Sequence, residues 1–332
     1  MHTLLSRRLL VAPALVAALL LFAGLTSAAS GTTKSTPTLK VALIAPSAHN
    51  DLAFTQSMYA ALKTLQAQYH FKLSVSENQF VVADAANIIR QYASEGYNLI
   101  VAHGSQYGGT IQQLAPKFPK VSFAWGTASS TFGLPNVFAY QAASNQGGYV
   151  QGFMASLLSK SKVVGAIGPI AVGDAKLYVD GFKAGALAAS PESNVLVSYT
   201  GSFSDPSLMS KQATVYLAQK ADVLTGSSQS VVGAITVAKT ANIAWFGTQW
   251  SQASLAPQQV VSSQVYDWTG IFSKMLNKIQ AGTLGGSAYT INLKNGGEKI
   301  QLNPGFKLPA NVTSAAQKTI AGIQNGSIKV PA

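Results

Sequence analysis

The alternation of strand-like and helix-like segments along most of the chain is the feature that most constrains the fold. The run Thr38–Ala45 (TLKVALIA) is largely apolar, as expected of a strand buried in a parallel sheet, and Phe54–Tyr69 has the spacing of an amphipathic helix. The same alternation continues to a last predicted helix at Val312–Asn325. Strands that alternate with helices predict parallel sheets joined by right-handed crossovers.

The predicted strands fall into two series. The first ends near Gln141, and the second begins with a helix at Tyr149–Leu158. We therefore expect an α/β protein with two doubly wound parallel-sheet lobes, joined by a hinge and separated by a cleft. Near the end of the chain, Tyr289–Leu293 and Lys299–Leu302 flank Asn295-Gly296-Gly297, a pattern that predicts a β-hairpin.

The loops at the carboxyl ends of the strands are the candidate ligand site, because ligands bind there in open parallel sheets. Gly, Ser, Thr and Asn are frequent in these loops, and they offer close backbone approach and uncharged hydrogen bonds. The loops are 46–57, 103–108, 126–130, 168–174, 201–205, 226–230 and 247–250. Two lobes that face each other across these loops would form a cleft able to close on a small molecule.

Residues 1–29 have the organisation of a secretory signal peptide. Two arginines precede an apolar run, Leu9–Leu25, which ends in small residues. An uncleaved membrane anchor is the alternative, but the run is short for a full span and contains Pro13. The chain has no cysteine, which excludes disulfides and a lipid-anchored lipoprotein. We expect a secreted protein, periplasmic or extracellular, in which a polar linker (30–37) precedes the folded part.

The chain carries a formal net charge of +12, yet its composition disfavours a nucleic-acid partner. The lysines are scattered, and Arg90 is the only arginine after the signal segment. Nucleic-acid grooves usually combine clustered Arg and Lys with aromatic platforms. We therefore expect no nucleic-acid partner.

The sequence lacks the signature motifs of enzymes and cofactor sites. No G-x-G-x-x-G follows a strand, and the P-loop, H-E-x-x-H and G-x-S-x-G patterns are missing. His49 and His103 both fall at predicted strand ends, and Asp51 could complete a metal site with them. A hydrolase triad of Ser105 or Ser57 with His103 and Asp51 is conceivable, but no nucleophile elbow supports it. We favour two loop histidines and expect no metal and no cofactor.

Several short segments resemble motifs of the basic membrane protein (BMP) family of solute-binding proteins, whose better-known members are purine-nucleoside receptors of ABC transporters. The segments are Asn50–Ser57 (NDLAFTQS), Gly181–Gly185 (GFKAG), Gly201–Pro206 (GSFSDP), Gln219–Val223 (QKADV) and Ser254–Pro257 (SLAP). Their order and spacing match the family over essentially the whole mature chain. The resemblance implies a type I periplasmic-binding-protein fold and the capture of a small solute for an ABC importer.

In that fold the chain passes between the lobes three times, which the resemblance places near residues 141, 265 and 290. The N-terminal lobe would then comprise 38–141 plus 266–290. The C-terminal lobe would comprise 142–265 plus 291–332.

The sequence departs from the family's nucleoside binders at two acidic positions. Gly247–Trp250 (GTQW) stands where the family has G-V-D-x-D-Q, whose acid is expected to hold the ribose hydroxyls. Gly126-Thr127 stands where an Asp usually follows the fourth strand, whereas Asp267 could be retained. These departures leave the fold prediction intact, and they suit a flat neutral nucleobase at least as well as a nucleoside.

Aromatic and polar side chains of the loops form the predicted ligand site. Phe54 and Phe203 could stack on a ligand ring or pack under their own loops, and Trp250 is expected to form an aromatic wall. Asn50 and Asp51 could cap the following helix as well as contact the ligand. The full candidate set is Asn50, Asp51, Phe54, Gln56, Ser105, Tyr107, Thr127, Phe203, Ser227, Gln249, Trp250 and Asp267.

The leading functional hypothesis is a monomeric binding protein without catalysis. It would capture a small polar or planar solute, a nucleobase or nucleoside above all, and pass it to an ABC permease at the membrane. A secreted hydrolase of nucleosides or small esters is the first alternative, and a ligand-sensing receptor domain is the second. The scarcity of carboxylates argues against the enzyme, since acid–base chemistry draws on Asp and Glu.

Overall fold

The computed structural model describes residues 38–331. The predicted signal peptide (1–29) and linker (30–37) lie outside the described residues, as does Ala332. Within the described range, no helix combines the length and the apolar character needed to cross a membrane.

Strands and helices alternate along the described chain, as the sequence predicts. The first series is β1 (Lys40–Ile44), α1 (Phe54–Tyr69), β2 (Lys72–Ser76), α2 (Val82–Ser94), β3 (Leu99–Ala102), α3 (Gly108–Leu114), β4 (Ser122–Gly126) and β5 (Val137–Ala142). The second is α4 (Ser144–Leu158), β6 (Val163–Gly168), α5 (Gly173–Ala189), β7 (Asn194–Tyr199), α6 (Pro206–Ala218), β8 (Val223–Gly226), α7 (Val232–Thr240), β9 (Ala244–Gly247) and β10 (Val260–Tyr266). The chain continues with α8 (Thr269–Gln280), β11 (Ser287–Ile291), β12 (Glu298–Leu302) and α9 (Ala310–Asn325).

The strands form two six-stranded sheets, one in each lobe. The first has the order β11-β5-β4-β3-β1-β2, and its neighbouring strands are all parallel. The second has the order β12-β10-β9-β8-β6-β7, and it is parallel except for β12, which runs antiparallel to β10. The predicted α/β architecture of two doubly wound lobes is thereby confirmed.

Helices cover both faces of each sheet, which explains the continuous apolar character of the central strands. In β1, Val41 and Leu43 pack towards α1 and α8, whereas Ala42 and Ile44 pack towards α2 and α3. A strand buried on both faces has no polar side, so its sequence does not alternate. In the second lobe, α4, α5 and α9 cover one face and α6 and α7 cover the other.

Helices α4 and α5 approach each other closely through glycines. A Cβ atom on Gly152 would lie 1.9 Å from the carbonyl oxygen of Phe182, and one on Gly185 would lie 1.9 Å from that of Tyr149. Neither position can therefore carry a side chain unless the helices move apart. The G-F-x-A-G motif at Gly181–Gly185 thus has a packing role in this fold.

The predicted hairpin near the end of the chain does not form. Strand β11 joins the first sheet beside β5, and β12 joins the second sheet beside β10. The segment 292–297 carries the chain from one lobe to the other, and the Asn295 side chain holds its turn by accepting hydrogen bonds from the backbone N–H groups of Asn292 and Gly297. The other two crossings between the lobes lie between β5 and α4 and between β10 and α8.

Candidate functional site

The carboxyl ends of both sheets face a shared cavity. The first lobe lines it with Pro46, Phe54, Phe80, Gly104, Ser105, Gln106 and Thr127, and the second with Val172, Gly173, Asp174, Ala175, Phe203, Gln229 and Gln249. These residues follow strands β1 to β4 and β6 to β9. The cavity therefore lies where the topology of parallel sheets predicts a ligand site.

Five of the twelve predicted ligand residues line this cavity: Phe54, Ser105, Thr127, Phe203 and Gln249. Thr127 directly follows β4 and Gln249 lies two residues after β9, and their φ angles are 55° and 68°. Residues other than glycine seldom adopt this left-handed conformation, and such backbone strain is concentrated at functional sites.

The loop before α1 is built by the polar residues of the Asn50–Ser57 motif. The Asp51 carboxylate accepts hydrogen bonds from three backbone N–H groups at the start of the helix, over 2.9–3.1 Å. The Gln56 amide oxygen accepts one from the N–H of Leu52. Asn50 is exposed. In this structure Asp51 and Gln56 fix the loop, and the loop places Phe54 in the cavity wall.

Phe54 belongs to an aromatic cluster beneath the cavity. Its ring is stacked on His103, with 3.7 Å between the centroids and 9° between the planes, and its edge meets Trp268. The His103 ring nitrogens contact the Tyr140 hydroxyl at 2.7 Å and the Phe54 carbonyl oxygen at 3.0 Å. Burial lowers the pKa of His103 to about 3, although the Phe54 carbonyl opposes the shift. His103 is therefore a neutral support for the Phe54 ring.

Two further aromatic rings meet across the cleft. Phe80, after β2 in the first lobe, lies 6.0 Å from Phe203, after β7 in the second, measured between ring centroids. Phe80 is 41% exposed. The pair therefore bridges the two lobes at the solvent side of the cavity.

The charge in the cavity wall is carried by Asp174, in the first turn of α5. Among the lining residues of the described chain it is the sole ionisable side chain, and no lysine or arginine is present. Burial raises the pKa of Asp174 to about 7, and the hydrogen bond from the Ala142 N–H opposes the shift. The remaining polar lining groups are the uncharged hydroxyls and amides of Ser105, Gln106, Thr127, Gln229 and Gln249.

Four other predicted ligand residues lie away from the cavity wall. Tyr107 is fully buried in the core under α2, where its hydroxyl donates to the Gln79 carbonyl. Trp250 and Asp267 line a separate surface groove beside α1. Ser227 is buried at the end of β8. A direct ligand contact by these residues, or by Asn50, Asp51 and Gln56, stays a prediction.

Among the aromatic and polar lining residues, the sequence did not predict four: Phe80, Gln106, Asp174 and Gln229. Gln106, Asp174 and Gln229 stand within loops that the sequence places at strand ends. Their polar side chains could therefore have identified them as candidate ligand contacts. Phe80 follows the edge strand β2, whose loop the sequence gives no reason to choose.

The hydrolase triad and the metal site that the sequence left open are not assembled in this structure. Both His103 ring nitrogens are occupied, and the Ser57 hydroxyl donates to the Phe54 carbonyl and accepts from the Trp268 indole. Asp51 caps α1, and the His49 ring contacts Glu77 at the surface. Within residues 38–331, no group of three His, Asp or Glu side chains is placed to hold a metal ion.

A hinged pair of parallel-sheet lobes, enclosing a cavity lined by aromatic and uncharged polar side chains, defines a periplasmic-type solute-binding protein. Residues 38–331 match the family model described as Bmp, ABC transporter substrate-binding protein PnrA-like. The chain belongs to this family, as the sequence resemblance predicts, and is a substrate-binding protein of the ABC transporter class.

Relatives and solved structures agree with this assignment. A purine-binding protein of Brucella abortus is 28% identical over 292 residues, which cover 87% of this chain and 82% of the relative. The ABC transporter nucleoside-binding protein BmpA of Lactococcus lactis is 25% identical, with 91% and 92% covered. A solved ABC transporter solute-binding protein from Conexibacter woesei superimposes with a TM-score of 0.74 at 25% identity, covering 89% of this chain and 99% of that one.

Proposed function

We propose that this protein captures a purine nucleobase or nucleoside outside the cytoplasmic membrane and delivers it to an ABC permease. The observation that carries the proposal is the composition of the cavity wall, which combines aromatic rings with uncharged hydrogen-bonding groups. The purine- and nucleoside-binding relatives support the same ligand class.

The aromatic rings favour a flat ligand. Phe54 presents a ring that is held from behind by His103, and Phe80 and Phe203 meet above the cavity. A π-face of this kind stacks on any base. The uncharged amides and hydroxyls around the rings can then pair with the donors and acceptors on the ligand's edge.

The charge of the wall favours a neutral ligand. The described lining residues include one buried carboxyl and no basic group, so a phosphate would meet no cation there. We infer that free bases and nucleosides bind and that nucleotides do not. Since Gly126-Thr127 and Gly247–Trp250 lack the acids of the nucleoside binders, a nucleobase should bind at least as tightly as its nucleoside.

We also propose how the protein is exported and in which state it works. The protein is exported by the signal peptide at 1–29, carries no lipid anchor, works as a monomer without catalysis, and binds no nucleic acid. The N-terminal arginine and apolar pattern, the absence of cysteine, and the membership of a solute-binding family support these points.

Calorimetry of the purified mature chain tests the ligand class. Adenine, guanine and hypoxanthine are titrated beside their nucleosides and 5′-monophosphates, and ligand binding should raise the melting temperature because only the folded state has the cavity. We expect saturable binding of at least one base, comparable or weaker binding of its nucleoside, and none of its nucleotide. Absence of binding by every purine would overturn the proposed ligand class, and conversion of a nucleoside to free base during incubation would overturn the non-catalytic role.

A further inference from the structure

Asp174 has an unusual position for a carboxyl group. It stands at the N-terminal turn of the long helix α5, is only 4% exposed, and lines the cavity. One carboxylate oxygen, Oδ1, lies 3.4 Å from the backbone N–H nitrogen of Ala142. The other, Oδ2, is buried without any hydrogen-bond partner. Buried polar atoms are almost always paired, so an unpaired carboxylate oxygen beside a cavity indicates a group that is paired when ligand is present.

Two neighbouring side chains share this property. The amide oxygens of Gln229 and Gln249 also line the cavity and lack partners. Asp174, Gln229 and Gln249 follow β6, β8 and β9, which are consecutive strands in the second sheet. The second lobe therefore presents a row of three unpaired acceptor oxygens to the cavity, while the first lobe supplies the Phe54 ring.

The surroundings of Asp174 leave its charge uncompensated by protein. The titratable groups that face it are Tyr140 on β5, Tyr266 on β10 and Glu298 on β12, none of which is a cation. Tyr266 Oη and Glu298 Oε2 are themselves buried without partners. A ligand N–H or O–H is thus the natural partner for the carboxylate, because a hydrogen bond to an ionised acceptor is about twice as strong as one between neutral groups.

We propose that Asp174 determines the specificity of this cavity by accepting a hydrogen bond from a ligand N–H or O–H donor, with Gln229 and Gln249 extending the acceptor row. The inference rests on the proposed function and sharpens it. The protein should select purines that carry several donors on one edge, such as adenine and guanine. It should reject purines whose nitrogens are methylated, as in caffeine, and anionic purines.

The test compares wild-type protein with Asp174→Asn in calorimetry against adenine, guanine and caffeine. The amide replacement keeps the size of the side chain and places a donor or a weaker, neutral acceptor at the site. We expect wild type to bind adenine or guanine and not caffeine, and we expect the variant to bind the same base about ten- to a hundredfold more weakly. Asp180→Asn is the matched control, because Asp180 lies on the same helix at the surface, paired with Lys176.

A titration series of adenine derivatives keeps the inference testable if the variant folds poorly. N6,N6-dimethyladenine and 9-methyladenine each lack one kind of donor. At least one of them should bind wild type tenfold or more weakly than adenine, and that difference should shrink in any Asp174→Asn sample that melts cooperatively. In wild type, adenine affinity should rise as pH increases from 6 to 8 and Asp174 ionises. Glu298→Gln, which removes the other buried carboxyl, should retain this rise.

The outcomes separate the two proposals. If wild type binds purines, and Asp174→Asn or the methylated derivatives bind with unchanged affinity, the inference about Asp174 is wrong and the proposed function stands. If wild type binds no purine at all, the proposed function is wrong, and the inference that rests on it is overturned as well.

Discussion

The ring of Phe54 lies parallel to the imidazole of His103, with 3.7 Å between their centroids. The imidazole is fixed at both nitrogens, by the Tyr140 hydroxyl and by the backbone carbonyl of Phe54 itself. Because burial lowers the pKa of His103 to about 3, the stack carries no charge at neutral pH. The wall on which a ligand ring would lie is therefore rigid and neutral.

Replacing Phe54 by Leu should weaken ligand binding while the fold is retained. Leucine fills much of the same volume beside His103 but has no π-face, and stacking of a base on an aromatic ring contributes about 1–3 kcal/mol. We expect a loss of about tenfold or more in the affinity for the best purine, measured by calorimetry, with little change in melting temperature. Trp250→Ala, in the separate groove beside α1, tests the prediction that Trp250 also contacts the ligand, which unchanged affinity would refute. Weaker binding by the Trp250 variant alone would place the ligand in that groove.

Truncation of Phe80 should accelerate ligand release. The Phe80 and Phe203 rings meet between the lobes, and aromatic pairs contribute about 0.5–1.5 kcal/mol beyond their area. In stopped-flow experiments, Phe80→Ala should therefore show dissociation about two- to tenfold faster, with association changed less. Phe132→Ala is the control, because Phe132 is also an exposed aromatic residue but stacks on Trp125 within its own lobe. Equal rates in the two variants would refute a role for the bridging pair.

Adding a methyl group at Gly185 should destabilise the second lobe. The new Cβ would lie 1.9 Å from a backbone oxygen of α4, so the two helices must separate. Overpacking of this kind costs about 1–3 kcal/mol or more, and we expect Gly185→Ala to lower the free energy of unfolding in denaturant titrations accordingly. Gly270→Ala on α8 is the matched control. A Cβ there meets nothing within 4 Å, so alanine should be neutral or stabilising by about 0.4–1 kcal/mol.

The stability of the protein should fall as pH rises from 6.5 to about 8. Burial raises the pKa of Glu298 to about 8, against hydrogen bonds from Gln264 and Gly147, and burial raises that of Asp174 to about 7. An acid with a higher pKa in the folded state binds more protons when folded, so its contribution to stability decreases as pH rises towards that pKa. The pKa of His103 is lowered to about 3, so below pH 6.5 the unfolded chain binds more protons at this histidine and stability rises with pH. Above pH 6.5 the histidine no longer changes the stability.

Chemical denaturation at a series of pH values measures this effect. One titrating group changes the free energy of unfolding by at most about 1.4 kcal/mol per pH unit. Glu298→Gln should flatten the slope between pH 7 and 8, because Glu298 is the group still titrating there. A wild-type stability that is constant or rising over this range would show that the two carboxyls are not buried as described.

The sequence was sufficient to predict the layers of the fold. Strands buried on two faces are apolar throughout, and the apolar residues of the helices recur with the period of an α-helix. It was insufficient where tertiary contacts override local pattern. The sequence predicts the start of α4 at Tyr149, but the helix begins at Ser144. Gly147 and Gly148 weaken the helical pattern in the sequence. In the structure a side chain at these positions would collide with Glu298 and with the backbone of α5. The hairpin failed for a similar reason: turn residues do not specify which sheet a strand will join.

The candidate site was predictable as a set of loops and less so as a set of side chains. Phe54 and Gln249 reached the cavity wall because Phe54 begins the helix after β1 and Gln249 lies two residues beyond the end of β9. Tyr107 did not, because its hydroxyl found a backbone partner at Gln79 and its ring joined the core. Whether a loop residue turns inwards or outwards depends on such partners, which lie far away in the sequence.

The switch of sheets between β11 and β12 ties the two lobes into one covalent unit. Each lobe is built from two stretches of the chain, and these alternate along the sequence with the two stretches of the other lobe. Cutting the gene at a single position therefore cannot yield either lobe whole. An isolated lobe would have to be made by splicing its two separated segments together. A protease that cleaved the segment 292–297 would release no fragment under native conditions, because β12 and α9 would remain paired and packed in the second lobe.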